Sequence, residues 1–150
     1  MESLKKDGVY TVDANTLAEI QKNFSGYFTN EEDTSATIRA TYSKYGYLAD
    51  THTAVAIHAA EEYVKNTGDT LPMVIDSTAS PYKFAADVLD AVKPGESENL
   101  SGIECMERLS EVTGTEIPAP LCGLSTREVR FAGSVNPFDM DDVVFNYLKI

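Results

Sequence analysis

The stretch from Leu71 to Phe84, Leu-Pro-Met-Val-Ile-Asp-Ser-Thr-Ala-Ser-Pro-Tyr-Lys-Phe, constrains this chain more than any other. Met73, Val74 and Ile75 make a short apolar run bounded by Pro72 and Asp76, the pattern of a strand buried on both faces. Ser80 suits a helix N-cap, and Pro81 suits the first helical position, where the missing amide hydrogen is not needed. Phe84, Val88 and Val92 then recur at spacing four with Ala85 and Leu89 beside them, so the helix has one apolar face. The hydroxyls of Ser77, Thr78 and Ser80 fall between the predicted strand and helix. In open α/β sheets, ligands bind beyond the carboxyl ends of strands, which makes this turn a candidate binding site. Ordinary service to turn and cap backbone is the competing reading.

A strand buried on both faces needs neighbours to pair its backbone. The rest of the chain offers few: Val9–Val12, Tyr27–Thr29 and a late, edge-like piece at Val129–Phe131. Helices dominate instead. Asp13 can cap one through about Phe24, with Leu17, Ile20 and Phe24 on one side. Asn30 can cap a second, whose first turn carries Glu31, Glu32 and Asp33 and whose inner face holds Ile38, Thr41, Tyr42 and Tyr45. Asp50 can cap a third, from His52 to Lys65; its first half, Thr53 to Ile57, is apolar all round and is expected to be buried, with Glu61 and Lys65 paired on the wet side. Ser101 can cap a fourth, through Thr113, with Ile103, Met106, Leu109 and Val112 inward. Asn136-Pro137 opens a terminal helix, Phe138 to Leu148. Leu4 to Gly8 reads as the end of a helix whose beginning is absent. The expected class is α/β, helix-rich with few short strands, and part of a larger fold.

Composition excludes several partners. The net charge is −12, from 12 Lys and Arg against 24 Asp and Glu, which argues against nucleic acid and anionic membrane. No apolar run approaches the ~20 residues of a membrane span. Met1 to Lys6 leads straight into polar sequence with no secretory signal, so the expected compartment is the cytoplasm. Cys105 and Cys122 make neither a metal spacing nor a disulfide framework. His52 and His58 stand on different faces of one predicted helix and cannot share a metal. No metal site is expected.

Ser77-Thr78-Ala79-Ser80-Pro81-Tyr82-Lys83-Phe84 resembles the C-terminal signature of threonine synthases, pyridoxal-phosphate (PLP) enzymes of the tryptophan-synthase-β type, fold type II. Gly46-Tyr47-Leu48-Ala49-Asp50-Thr51-His52-Thr53-Ala54-Val55-Ala56 resembles a second motif of that family, with Thr51 where proline is usual. Order and spacing of the two fit. The resemblance implies that residues 1–150 form a single C-terminal fragment, with the remaining strands and a second lobe supplied by earlier sequence. It also implies PLP as cofactor and, in the intact enzyme, a lyase reaction that turns O-phosphohomoserine and water into threonine and phosphate.

In the family, PLP is held on a lysine in a Phe-Lys-Asp type motif and its phosphate in a glycine-rich cradle. Neither is present here; Lys83 belongs to the other signature. The isolated chain is therefore expected to be inactive, with no catalytic residue of its own. The resemblance places Thr78 at the ring nitrogen, with Ser77 the neighbouring candidate. A hydroxyl donates a hydrogen bond to a neutral nitrogen where a carboxylate would protonate it, which favours β-elimination and replacement over transamination. His52 either lines the site or bonds to local backbone. Two other readings stand beside this one: a threonine dehydratase, against which the Ser77–Phe84 signature argues, and a non-catalytic α/β binding or interaction module. Expected partners are the phosphorylated substrate, the missing N-terminal part and, through apolar surface left without cover, further copies of the chain.

Overall fold

Helices in this chain begin where a short polar side chain can satisfy free amides. The computed structural model describes residues 2–130 and 133–150, which form two compact units, Met1–Pro118 and Ala119–Ile150. In the first unit α1 spans Glu2–Asp7 and α2 spans Ala14–Gln21, with Asp13 accepting from the amides of Asn15 (2.9 Å) and Thr16 (3.0 Å). The Asn30 side chain accepts from the Asp33 amide at 2.8 Å and opens α3, Glu31–Tyr45. Gly46 ends α3 at φ 68°, a left-handed conformation that suits glycine, and its amide reaches back to the Tyr42 carbonyl. Asp50 opens α4, Thr51–Thr67. A 3₁₀ turn, Pro81–Phe84, leads into α5, Ala85–Val92. Ser101 and Glu104 form a reciprocal capping box at the start of α6, Gly102–Thr113.

The core lies where α3 packs on α4 and α5, and α5 packs on α6. It is built from Ile38, Ala54, Val88, Leu89, Met106 and Leu109, all buried. Each such valine, leucine or isoleucine stabilises the fold by about 1.5–3 kcal/mol relative to exposure. An eight-residue helix such as α5 would not persist alone in water, so its two neighbours hold it. Polar ties finish the bundle. Arg39 Nε donates to the Ala91 carbonyl (2.8 Å), a cation at the C-terminal end of α5. Tyr42 and the buried Tyr82 donate to the carbonyls of Thr113 (3.0 Å) and Thr115 (2.7 Å). Asp90 accepts from the amide and hydroxyl of Ser97, and Glu96 bridges Lys93 and Arg108, so the middle of the 93–100 loop is fastened to both α5 and α6.

In the second unit, the Asn136 side chain accepts from the Phe138 amide and sets up a 3₁₀ turn, Pro137–Asp139, that runs into α7, Met140–Leu148. Val143, Val144, Phe145 and Leu148 of α7 are all exposed.

The helix-rich class is what the structure shows, but no strand forms among the described residues. Met73–Ile75 is not a buried strand: Val74 is 90% exposed, and no ladder partner lies beside it among the described residues. Val9–Val12, Tyr27–Thr29 and Val129–Arg130 are likewise irregular, and Phe131 lies outside the described residues. High β-propensity does not make a strand without a neighbour to accept its hydrogen bonds. The first half of α4 is not covered all round either; Thr53 and Ala54 are buried while Val55 is exposed. Lys65 pairs with Glu62 at 2.8 Å, one turn position closer than Glu61. The helix after Asp13 stops at Gln21, short of Phe24. In α6, Cys105 takes the buried place, with Ile103 and Val112 half-buried.

Candidate functional site

Residues 76–80 form an irregular segment, bent at Ala79, between the 73–75 run and the Pro81–Phe84 turn. Ser80 is committed to structure: its Oγ accepts from the Tyr82 amide. Ser77 and Thr78 are both exposed, but their hydrogen bonding differs. Ser77 Oγ lies 3.2 Å from the Tyr47 hydroxyl and 3.0 Å from Thr53 Oγ1. No hydrogen bond among the described residues engages Thr78.

Behind Ser77 stands Asp50, only 1% exposed. Its Oδ1 accepts from the amides of His52 (2.9 Å) and Thr53 (3.3 Å), and its Oδ2 accepts a hydrogen bond from the Thr53 hydroxyl. A buried carboxylate is tolerated only with such partners, and the positive end of the α4 dipole adds to them. The result is one polar line, Tyr47–Ser77–Thr53–Asp50, that stitches the start of α4 to the hydroxyl-bearing segment.

The two motifs meet a second time through rings. His52 projects from the first turn of α4 with its centroid 4.9 Å from that of Phe84, tilted by 47°. Its Nδ1 is 3.4 Å from Asp50 Oδ1 and the side chain is largely exposed. Lys83 is exposed, with Nζ 5.4 Å from the Phe84 centroid. His58 lies at a different groove, beside Asp33, Lys44 and Glu61. No cluster of metal-ligating side chains exists among the described residues.

Sequence reasoning placed Ser77 and Thr78 in a tight turn; the structure gives them irregular backbone, with a bend only at Ala79. It read Asp50 as a cap, Thr53 as part of an apolar helix and both, with Tyr47, as members of a family motif, but not as one hydrogen-bonded line. The available signal was the Asp-x-x-Thr spacing, which sets a hydroxyl over a capping carboxylate.

A groove of about 660 Å³ runs beside this site, lined by Phe24, Tyr27, Ala56, Tyr63, Val74 and Asp76. Tyr27 and Tyr63 meet edge to face across it, with centroids 6.3 Å apart. Its apolar wall continues along α4 over Ile57, Ala60 and Val64 to Met73 and Ile75.

The first unit is a helical unit that ties an exposed hydroxyl-bearing segment to a buried carboxylate beside a broad apolar groove. The family model described as "Threonine synthase, C-terminal" matches residues 53–140, and the chain belongs to that family. It is 28% identical to the threonine synthase of Pseudomonas aeruginosa over 87% of this chain and 24% of the relative. It is 32% identical to the threonine synthase of Saccharomyces cerevisiae over 61% of this chain and 19% of the relative. Human threonine synthase-like 1 is 32% identical over 56% of this chain and 11% of that protein. The crystal structure of PLP-bound threonine synthase from Brucella melitensis superposes with a TM-score of 0.70 and 31% identity, covering 99% of this chain and 27% of that one. The chain thus spans about a quarter or less of the relatives it matches.

Proposed function

We propose that residues 1–150 are the C-terminal part of a PLP-dependent threonine synthase, a lyase whose complete form converts O-phosphohomoserine and water to threonine and phosphate. The observation that carries this reading is the exposed Ser77–Thr78 segment. It falls inside the family match, and it offers an exposed Thr78 hydroxyl that no described neighbour engages. A ring nitrogen needs a donor of that kind, so the chemistry at Thr78 fits one contact of PLP. Thr78 would hold the ring nitrogen by donation, with Ser77 beside it.

Bound PLP supplies an electron-withdrawing ring for reactions at amino-acid carbons. A hydroxyl at its nitrogen leaves the ring less electron-poor than a carboxylate would, which suits elimination and replacement. The chain's other contribution is exclusion of water. The apolar wall formed by Met73, Val74, Ile75 and the exposed side of α4 is surface that the rest of the enzyme covers, closing the site from one side. Among the described residues, no helix is long and apolar enough to cross a membrane, and the proposed compartment is the cytoplasm.

The test is reconstitution. The Pseudomonas aeruginosa enzyme, cut before the region this chain matches, is expressed with and without the chain. Phosphate release from O-phosphohomoserine is then followed with PLP present. Activity only when both pieces are present is the expected result. A stable, PLP-loaded complex that releases no phosphate from this substrate would overturn the proposed activity.

A further inference from the structure

The broad groove beside α4 has the form of a slot for one more strand. Its lining comes from three pieces: a stripe of α4 from Ala56 to Thr67, the segment around Phe24 and Tyr27, and the run Met73–Asp76. That stripe rises about 16 Å along the helix, the length of a strand of about five residues.

Side chains in the run alternate. Met73 and Ile75 share an apolar patch with Ile57, Ala60 and Val64 of α4, and Ser77 reaches Thr53 near the start of that helix. Val74, between Met73 and Ile75, is 90% exposed. A period of two is the mark of an extended chain with one face down. Residues 73–77 therefore lie along α4 as a strand would. Yet no backbone group of residues 72–79 bonds to another backbone group among the described residues.

Covering this run changes what its backbone needs. A surface that packs on Met73, Val74 and Ile75 also strips water from their amides and carbonyls, which then require partners. A second extended backbone supplies such partners in a row. In an extended run the amide and carbonyl of one residue point to the same edge, and successive residues alternate between edges. Pro72 has no amide hydrogen, which leaves the edge of Pro72, Val74 and Asp76 short of a donor. The edge of Met73, Ile75 and Ser77 is complete.

We propose that the groove is a strand-addition site: an extended segment from the part of the enzyme outside these 150 residues seats on the α4 stripe and pairs with the Met73–Ile75–Ser77 edge. Two facts favour that source. The chain spans about a quarter or less of the relatives it matches, so most of such an enzyme lies elsewhere. A second copy would instead bring the same net charge of −12 against this surface. The source of the strand rests on the proposed function; the choice of edge does not. Pairing fixes the backbone up to Ser77 and so sets the direction in which Thr78 leaves it.

The test combines the whole labelled chain with the N-terminal part of the Pseudomonas aeruginosa enzyme, and reads amide exchange residue by residue. On docking, the amides of Met73, Ile75 and Ser77 are expected to slow at least about tenfold. Ile75→Ala and Ile75→Pro then separate side chain from backbone, because both lose the isoleucine side chain and only proline loses the amide. Ile75→Pro should weaken association at least about tenfold more than Ile75→Ala. The two free chains should melt within about 3 °C of each other, since the Ile75 amide has no backbone partner there. Should the proline variant not fold, the exchange measurement on the unmodified chain decides by itself.

Equal losses from the two variants would overturn the proposal, as would Met73, Ile75 and Ser77 amides that exchange as fast in the complex as in the free chain. So would a pair that never associates. A chain that keeps to its own copies in the partner's presence, with those amides protected, would assign the groove to a second copy and overturn it too. A docked and protected pair that releases no phosphate from O-phosphohomoserine would count against the proposed function and leave the strand pairing standing.

Discussion

Val74 and Val88 are the same side chain in opposite surroundings, and truncating each to alanine separates two views of this chain. Read as sequence, Val74 sits at the centre of the most strand-like run, while Val88 is one of several apolar positions on a helix. In the structure Val74 is 90% exposed and Val88 is 0% exposed, held in α5 between α3 and α6. Val88→Ala removes two buried carbons, about 1.6 kcal/mol by transfer. The space they leave cannot close fully between two packed helices, which raises the total to about 2–3 kcal/mol. At about 2–4 °C per kcal/mol for a chain of this size, the melting midpoint should fall by roughly 5–10 °C. Val74→Ala should change stability by less than about 0.5 kcal/mol. Urea and thermal unfolding of the free chain, followed by helical circular dichroism, measure both. Equal losses, or a larger loss at Val74, would show that the 73–75 run is part of the free chain's core and refute the packing described here.

Other outcomes follow from the same structure. Hydrogen bonds from Arg108 and then Lys93 lower the Glu96 carboxyl from 4.5 to about 2. The folded value is the lower one, so this pairing stabilises the chain fully above about pH 4.5 and is lost as pH falls through about 2. Glu96→Gln should flatten acid unfolding in that window, and an unchanged acid limb would refute it. Tyr82→Phe should cost only about 1 kcal/mol, because the Thr115 carbonyl it leaves still accepts from Ser110; a loss above about 3 kcal/mol would mean that the acceptor is orphaned. In the reconstituted enzyme Thr78→Val should slow turnover about tenfold to a hundredfold, the effect of an unmade buried hydrogen bond of about 1–3 kcal/mol, and Ser77→Ala should do less. The reverse order would assign the contact to Ser77. Finally, the exposed apolar wall at Met73–Ile75 and the exposed side of α7 should drive the free chain into dimers or larger species; sedimentation as a uniform 16.4 kDa monomer at micromolar concentrations would count against that.

Local chemistry fixed the helices in advance. Asp13, Asn30, Asp50, Ser80 and Ser101 are all observed caps, because capping depends on residues within one turn of each other. Apolar spacing in α5 and α6 identified buried Val88, Leu89, Met106 and Leu109 for the same reason. The two motifs, read together, also pointed to the family to which the chain belongs. What the sequence could not decide was pairing at a distance. An apolar run of three says that a segment is suited to a sheet, but a strand exists only when another backbone lies beside it. None does among the described residues, and Met73–Ile75 stays irregular. Nor could a list of residues show that Ser77 and Thr78, adjacent in the chain, differ in hydrogen-bonding freedom. That difference arises because the fold sets the hydroxyls of Thr53 and Tyr47 against Ser77 and buries Asp50 behind them, while it sets no described neighbour against Thr78.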